Sequence, residues 1–290
     1  MDAKKSFEGF SFFLKQYINT CVSVCKVIVR LPYRSKLPSA TEESCIVLGN
    51  GPSLKQSLQE HPDFFKKHPL VCVNNFATAE EFELLKPMYY VMLDPGFFMH
   101  TGKYVTDLIE KLKTKTTWKM YLLLPLQGKK AVLFSELARQ NPNIEIVYYN
   151  YTVFRGFKGI GNYFYKKNMA MIQSQNVLAA ALFLSINMDY KHIYLFGADH
   201  TWHESLHVTE DNVLCVKQVH FYADEKEVSY TPFYKGIHVK ETFRMDEILT
   251  TFGKTFYSYV ALNVYAESRN CKIYNASAVS FIDAFKRIKI

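Results

Sequence analysis

The sequence predicts an α/β fold, a mainly parallel sheet with helices on both faces, preceded by an N-terminal amphipathic helix and carrying an irregular, lid-like insertion. Three observations lead there. Short apolar runs alternate with helical stretches along most of the chain, as strands and crossover helices do. Five of the seven runs are followed at once by Asn, Asp or Gly. The stretch from Trp202 to Lys240 lacks clear periodicity, and a long irregular stretch in a compact domain is often a lid or a substrate-binding insertion.

The elements follow in order. Cys45–Leu48 is an apolar run that ends in Gly-Asn-Gly-Pro-Ser and reads as a buried strand turning into a helix. Leu70–Val73 is a second strand, closed by Asn74, and Tyr89–Leu93 a third, closed by Asp94. A helix over Thr106–Lys113, a strand over Met120–Leu124, a helix over Ser135–Gln140 and a strand over Ile144–Tyr148 come next. Gln175–Ile186 is an Ala/Leu-rich helix and His192–Phe196 a sixth strand, ending at Gly197-Ala198-Asp199. One long helix covers 246–268, and Lys272–Tyr274 is the last strand, ending at Asn275. In open α/β sheets ligands bind outside the carboxyl ends of the strands, so the recurrence of Asn50, Asn74, Asp94, Asp199 and Asn275 at those ends says more than any one of them. Capping and turn formation is the competing explanation for such residues.

The 290 residues divide into an N-terminal segment, 1–42, and one domain, 43–290, with the lid-like insertion at about 200–240. Hydrophobic residues at 49% and charged residues at 21% exclude a disordered or collagen-like chain. Aromatic residues reach 16%, more than a core needs, so some of the rings should line a cleft or meet a membrane. The formal net charge of +8 favours a polyanion, anionic lipid or a phosphate-bearing substrate. Without an RNA-binding signature or zinc-finger spacing, nucleic acid is the weakest of these. None of the six cysteines forms a CxxC pair, and they read as reduced core residues of an intracellular protein. No signal peptide is apparent. The N-terminal segment mixes Phe7, Phe10, Phe12 and Phe13 with Lys4, Lys5, Lys15 and Lys26. Its longest charge-free stretch, Gln16 to Cys25, is too short to span a bilayer. The alternatives are a helix lying on an anionic membrane surface and a helix packed on the domain, with Pro32 and Pro38 marking the linker that follows.

The turn Gly49-Asn50-Gly51-Pro52-Ser53 is the strongest local signal. Glycines let backbone N–H groups approach a phosphate, and the following helix start adds partial positive charge. It is neither a P-loop nor GxGxxG, and a plain tight turn is the competing reading. His203-Glu204-Ser205-Leu206-His207 matches HExxH literally. Two His one helical turn apart would bind zinc, but only if 200–210 were a helix, which Thr201, Val208 and Thr209 disfavour. There is no Asp-x-Asp metal signature, and no metal or other cofactor is expected.

Ile46-Val47-Leu48-Gly49-Asn50-Gly51-Pro52-Ser53-Leu54 resembles the opening of the bacterial sialyltransferase family 42 of glycosyltransferases. It is also similar to related domains described as flagellin-modifying glycosyltransferases and as pterin-pyrophosphokinase-like. The resemblance continues through Val73-Asn74-Asn75-Phe76, Leu93-Asp94-Pro95, Ser174, Ile193–Asp199 and Ile273-Tyr274-Asn275-Ala276-Ser277, and covers roughly residues 44–285.

The resemblance implies a Rossmann-like domain that binds a CMP-activated sugar and transfers it, with inversion and without a metal, to a glycan or glycolipid acceptor. It places the donor nucleotide against Gly49, Asn50, Gly51, Pro52, Ser53, Asn74, Asp94, Ser174, Gly197 and Asp199, with Asn275 and Ser277 near its phosphate. It makes His238 the general base, with His220 a weaker candidate. The family usually has two tyrosines after the Gly-x-Asp turn, and here His207 or Thr201 would take those roles. Met171 stands where an Arg often precedes the Thr-Ser pair. Sialic acid, another nonulosonate or Kdo would all suit the implied donor. The implied setting is the cytoplasmic face of a bacterial cell membrane, with peripheral contact through the N-terminus, in building lipopolysaccharide or capsule. The family often forms tetramers, so the resemblance allows a homo-oligomer. The alternatives are a pterin-pyrophosphokinase-like enzyme using Mg and ATP, with acids such as Asp94 and Asp199 holding the metal, a zinc hydrolase through residues 203–207, and a non-catalytic membrane-binding scaffold.

Overall fold

The computed structural model describes residues 2–30, 36–99, 102–219, 228–236 and 239–290. Eight strands form one sheet: β1 (Ser44–Leu48), β2 (Leu70–Val73), β3 (Tyr89–Val91), β4 (Met120–Pro125), β5 (Ile144–Tyr149), β6 (His192–Phe196), and, near the C-terminus, β12 (Lys272–Asn275) and β13 (Lys286–Arg287). Their order is β13-β12-β6-β1-β2-β3-β4-β5, and each neighbouring pair is parallel. A parallel strand covered on both faces has no polar side, which is why these strands appear in the sequence as continuous apolar runs.

Alternate residues of each strand feed two cores. Cys45 and Val47 point to the face covered by α9 (Val177–Asn187) and α10 (Met245–Ser268), where they meet Ala180, Leu182, Tyr259 and Leu262. Ile46 and Leu48 point to the other face. There they meet residues from α2 (Ser53–Glu60), α3 (Pro62–Lys66), α4 (Glu81–Leu85), α6 (Lys103–Lys115) and α7 (Val132–Gln140). The short α5 (Gly96–Met99) follows β3, and α8 (Lys158–Lys166) lies between β5 and α9. Helix α9 is buried from Leu178 to Ile186, so it is apolar all round rather than striped.

The sequence reading sends surplus aromatic rings to a cleft or a membrane. The core absorbs many rings as well, with Tyr89, Tyr90, Tyr149, Tyr190, Tyr259 and Tyr265 among its largest buried side chains, while Phe7, Phe10, Phe12 and Phe13 stay exposed. Their hydroxyls find partners as they must when dry: Tyr149 donates to the Met92 carbonyl (2.7 Å) and Tyr265 to Asn187 Oδ1 (2.7 Å).

Three expectations change. The described part of the supposed irregular insertion is ordered by antiparallel pairing. It comprises β7 (Leu206–Val208), β8 (Leu214–Val219) and β9 (Val228–Pro232) in one small sheet, then the pair β10 (Tyr234–Gly236) and β11 (Val239–Thr242). Cys45, Cys72, Cys215 and Cys271 are buried free thiols, but Cys21 and Cys25 are exposed on the N-terminal helix. That helix, α1 (Asp2–Val29), contains a stretch, Phe7–Val29, that by length and composition is long and apolar enough to cross a membrane. Counting only charge-free residues misses this, because long lysine side chains at the ends of an apolar helix reach back to the interface.

Helix α1 also docks on the domain, so the two sequence alternatives are not exclusive. Ser23 Oγ donates to the Arg155 carbonyl (2.8 Å) and accepts from its N–H (2.9 Å), while Thr20 Oγ1 accepts from the Phe157 N–H (2.8 Å). The approach is so close that a Cβ at Gly156, where φ is +128°, would stand 2.1 Å from Thr20 Oγ1.

Candidate functional site

Sheet order does what no single motif could. The polar residues singled out at the strand ends follow β12, β6, β1, β2 and β3, which are five consecutive strands of the sheet. The chain reverses its direction of growth between β1 and β6, with β2 on one side of β1 and β6 on the other. Such a switch point opens a crevice at the carboxyl edge, because the loops above the two strands depart to opposite faces.

The two switch loops are locked together by glycines. Gly49 N–H donates to the Phe196 carbonyl (2.8 Å) and Gly51 N–H to the Gly197 carbonyl (2.9 Å). A Cβ at Gly49 would lie 2.3 Å from the Gly197 carbonyl oxygen, and Gly197 itself sits at φ +62°, a conformation glycine adopts without strain. Pro52 stands at the N-cap of α2, and Asp199 reaches across to that first turn, accepting from Ser53 N–H (3.0 Å) and Ser53 Oγ (2.5 Å). The helix start is therefore capped by the chain's own buried carboxylate. The N–H groups of Gly49, Gly51 and Ser53 thus have partners within the chain.

Asn275 and Ser277 brace the same loops from behind. Asn275 Oδ1 accepts from Ser277 N–H (3.2 Å), and its Nδ2 donates to Ser280 Oγ and the Ile282 carbonyl (both 3.0 Å). Ser277 Oγ accepts from Ala198 N–H (3.1 Å).

On the other side of β1, Asn50 is exposed and its Nδ2 donates to the Val73 carbonyl (3.2 Å), tying the first loop to the second. Asn74 holds a left-handed backbone, φ +47°, and the short turn after it is pinned by Tyr90, whose hydroxyl donates to the Asn74 carbonyl and accepts from Ala77 N–H (3.0 Å). Asn74 Oδ1 is buried without a hydrogen-bond partner. A buried acceptor left open at a strand end is an unsatisfied demand that a ligand donor would meet. Asp94 is exposed, and its Oδ1 accepts from Gly96 N–H (2.8 Å). Ser174 is buried, its Oγ donating to the Ile172 carbonyl (3.2 Å).

Sequence reasoning missed three residues. Asn176 caps α9, with Oδ1 accepting from Ala179 N–H (2.9 Å), while its Nδ2 donates to the Tyr259 hydroxyl (2.8 Å). His200, one residue beyond Asp199, is buried at φ +56°, with Nε2 at 2.7 Å from the same hydroxyl. Donation from Tyr259 to Nε2 leaves the ring proton on Nδ1. Burial pushes the His200 pKa down to about 4, so the ring is neutral near pH 7. It packs against Trp202, ring centroids 4.2 Å apart and planes tilted by 32°. A His directly after Gly-Ala-Asp was the available signal; Tyr259, inside a long helix, gave none.

The remaining candidates are scattered. Thr201 precedes a short 3-10 turn, Trp202–Ser205. His207 lies on β7, exposed, stacked on Tyr230 at 4.1 Å, and His203 packs against Phe281 at 4.4 Å. The helix that HExxH requires is not formed, so the two imidazoles do not share one helical face. Among the described residues no cluster of three or more His, Cys, Asp or Glu side chains could hold a metal. His238 and His220 lie outside the described residues, as does Pro32.

These features define an open α/β protein with polar residues ranged along the carboxyl edge of its sheet around the switch point. No protein-family model and no curated protein matches the chain. Among solved structures it is similar to the MAf glycosyltransferase from Magnetospirillum magneticum AMB-1, at 11% identity and TM-score 0.49, over 88% of this chain. The chain spans only 35% of that protein's length, and at such distance the likeness says nothing about the site.

Proposed function

We propose that the chain is a glycosyltransferase taking a CMP-activated sugar, sialic acid or another nonulosonate or Kdo-like sugar, at the crevice between β1 and β6. The observation that carries this is the alignment of Asn50, Asn74 and Asp94 along the strand ends β1, β2 and β3, beside the glycine-locked loops 49–53 and 197–199. Asn74, with its open buried acceptor, is suited to a donor group of the nucleotide. The sequence resemblance supplies the nucleotide's identity.

In the proposed reaction an acceptor hydroxyl attacks the anomeric carbon as the bond from that carbon to the CMP phosphate oxygen breaks. The phosphate leaves with the bonding electron pair, and the hydroxyl proton passes to a general base, for which His238 is the proposed residue with His207 and Thr201 as neighbours in role. Hydrogen-bond donors aimed at the departing phosphate supply the rate gain. A pterin-pyrophosphokinase-like enzyme using Mg and ATP is the alternative reading. Contact of α1 with the inner face of a cell membrane, and a glycan or glycolipid acceptor of the cell surface, complete the reading.

Thermal unfolding with CMP, CDP, UDP, GDP and ATP, each with and without Mg, tests it. A ligand at 100 times its Kd stabilises by about 2.7 kcal/mol. CMP should raise the midpoint most and independently of Mg. Stabilisation by ATP with Mg, and none by CMP, would refute the proposal. His238→Ala should abolish transfer while CMP still binds.

A further inference from the structure

Helix α1 is built inside out for water. Its domain-facing stripe is polar over most of its length, with Gln16, Asn19, Thr20 and Ser23, and turns apolar only at Val24 and Val27, whereas Phe7, Phe10, Tyr17, Ile18 and Ile28 are all more than half exposed. A helix on a water-soluble surface does the opposite, burying its apolar stripe. Apolar outward and polar inward is the arrangement of a helix whose surroundings are hydrocarbon.

A cavity of about 780 Å3 lies behind this helix, between α1, α8 and α10. It is lined by none of Asn50, Asn74, Asp94 or Asp199. Three cations reach it, Arg155, Lys158 and Lys254, and no carboxylate does. Arg155 is held by Gln173 Oε1 (2.5 Å), while Lys158 and Lys254 make no ion pair among the described residues. On the α1 side the wall is polar, with Gln16 and Asn19, and on the α10 side it is mostly apolar or small, including Ile172, Gly253, Val260 and Ala261. Beside it α10 exposes Leu249, Tyr257 and Val260. The far wall comes close to the switch-point cluster: Gln173 precedes Ser174, and Ser258 precedes Tyr259.

We infer that this cavity binds a membrane lipid with a phosphate headgroup, the cations Arg155, Lys158 and Lys254 holding the phosphate and the apolar wall holding the first part of the tail. Three positive side chains without an acid select an anion. The apolar wall on the α10 side, beside the exposed Leu249, Tyr257 and Val260, selects a tail, and a free phosphate would leave that wall bare. The acceptor is then a lipid-linked phosphate. That role rests on the transferase reading, whereas the binding does not.

The test uses the whole 290-residue chain and short-chain probes that stay monomeric: dihexanoyl phosphatidic acid, dihexanoyl phosphatidylcholine and inorganic phosphate, each titrated by calorimetry. Phosphatidic acid should bind at least about ten-fold more tightly than either other probe. Lys254→Glu reverses one cation, and Gly253→Phe fills the space, since nothing lies within 4 Å of a Cβ there. Both sites are exposed, so the fold survives either change. Each variant should weaken phosphatidic acid by at least about ten-fold and leave the response to CMP unchanged. Absence of phosphatidic acid binding, equal binding of inorganic phosphate, or binding that both variants leave intact would overturn the inference. Intact phosphatidic acid binding with no response to CMP removes the transferase reading and leaves the lipid site standing.

Discussion

Asp199 closes the first turn of α2 by accepting from both the N–H and the hydroxyl of Ser53, at 3.0 and 2.5 Å. The two residues stand 146 positions apart, so this contact clamps the β1 loop to the β6 loop. Asp199→Ala removes a buried charged acceptor and leaves two donors without a partner. It should cost about 2–3 kcal/mol, read as a lower urea midpoint at unchanged slope. A loss below about 0.5 kcal/mol would mean the clamp is not formed in solution.

Gly51 and Gly253 make a matched pair. A Cβ at Gly51 would lie 2.5 Å from Asp199 Oδ1 and 2.6 Å from the Gly197 carbonyl oxygen, whereas one at Gly253 meets nothing within 4 Å. Gly51→Ala should therefore destabilise by at least about 2 kcal/mol through a displaced loop. Gly253→Ala, on the exposed side of a helix, should stabilise by about 0.5–1 kcal/mol. Equal effects at the two sites would contradict the loop contact.

His200 makes stability depend on pH. Its folded pKa is about 4 against an ordinary 6.5, so between those values the unfolded chain binds the proton and the folded chain does not. Stability from this group is undiminished above about pH 6.5 and falls as pH drops, by about 3 kcal/mol on reaching pH 4. Chemical denaturation at pH 7.0, 6.0 and 5.0 should show the decline, and His200→Gln should flatten its part of it. An unchanged slope in the variant would assign the acid sensitivity elsewhere.

Asn74→Gly separates fold from binding. Glycine accepts φ +47° without strain, so the turn survives, while the unpartnered Oδ1 disappears. Thermal midpoints without ligand should move by less than about 1 kcal/mol equivalent, and the increment due to CMP should shrink at least about ten-fold in apparent affinity. A full CMP response in the variant would remove Asn74 from the site.

Much of the sheet was legible because parallel strands buried on both faces leave unbroken apolar runs. Leu70–Val73 and His192–Phe196 stand where the sequence puts them, and the long helix begins at Met245, one residue early. The edge strand Lys286–Arg287 was not legible, being two exposed basic residues that pair only because β12 is there. Strands β7 to β9 escaped for a similar reason: His207, Val208 and Lys217 are exposed, and the segment is held by cross-strand hydrogen bonds rather than by an alternating buried face. At the candidate site, the polar strand ends could be read because each follows an apolar run. The tie from His200 to Tyr259, 59 positions away, depends on where α10 lands on α9 and leaves no local trace.

The docking of α1 sets an order in time. The residues that receive Ser23 lie 132 positions further along the chain, so translation must continue on the order of 10 s before the groove for α1 exists. During that interval a long apolar helix lacks the groove that receives it, and a nearby membrane is the surface that can cover it first. Synthesis close to a bilayer would thus fix α1 before the sheet closes, and the domain would assemble against a helix already in place.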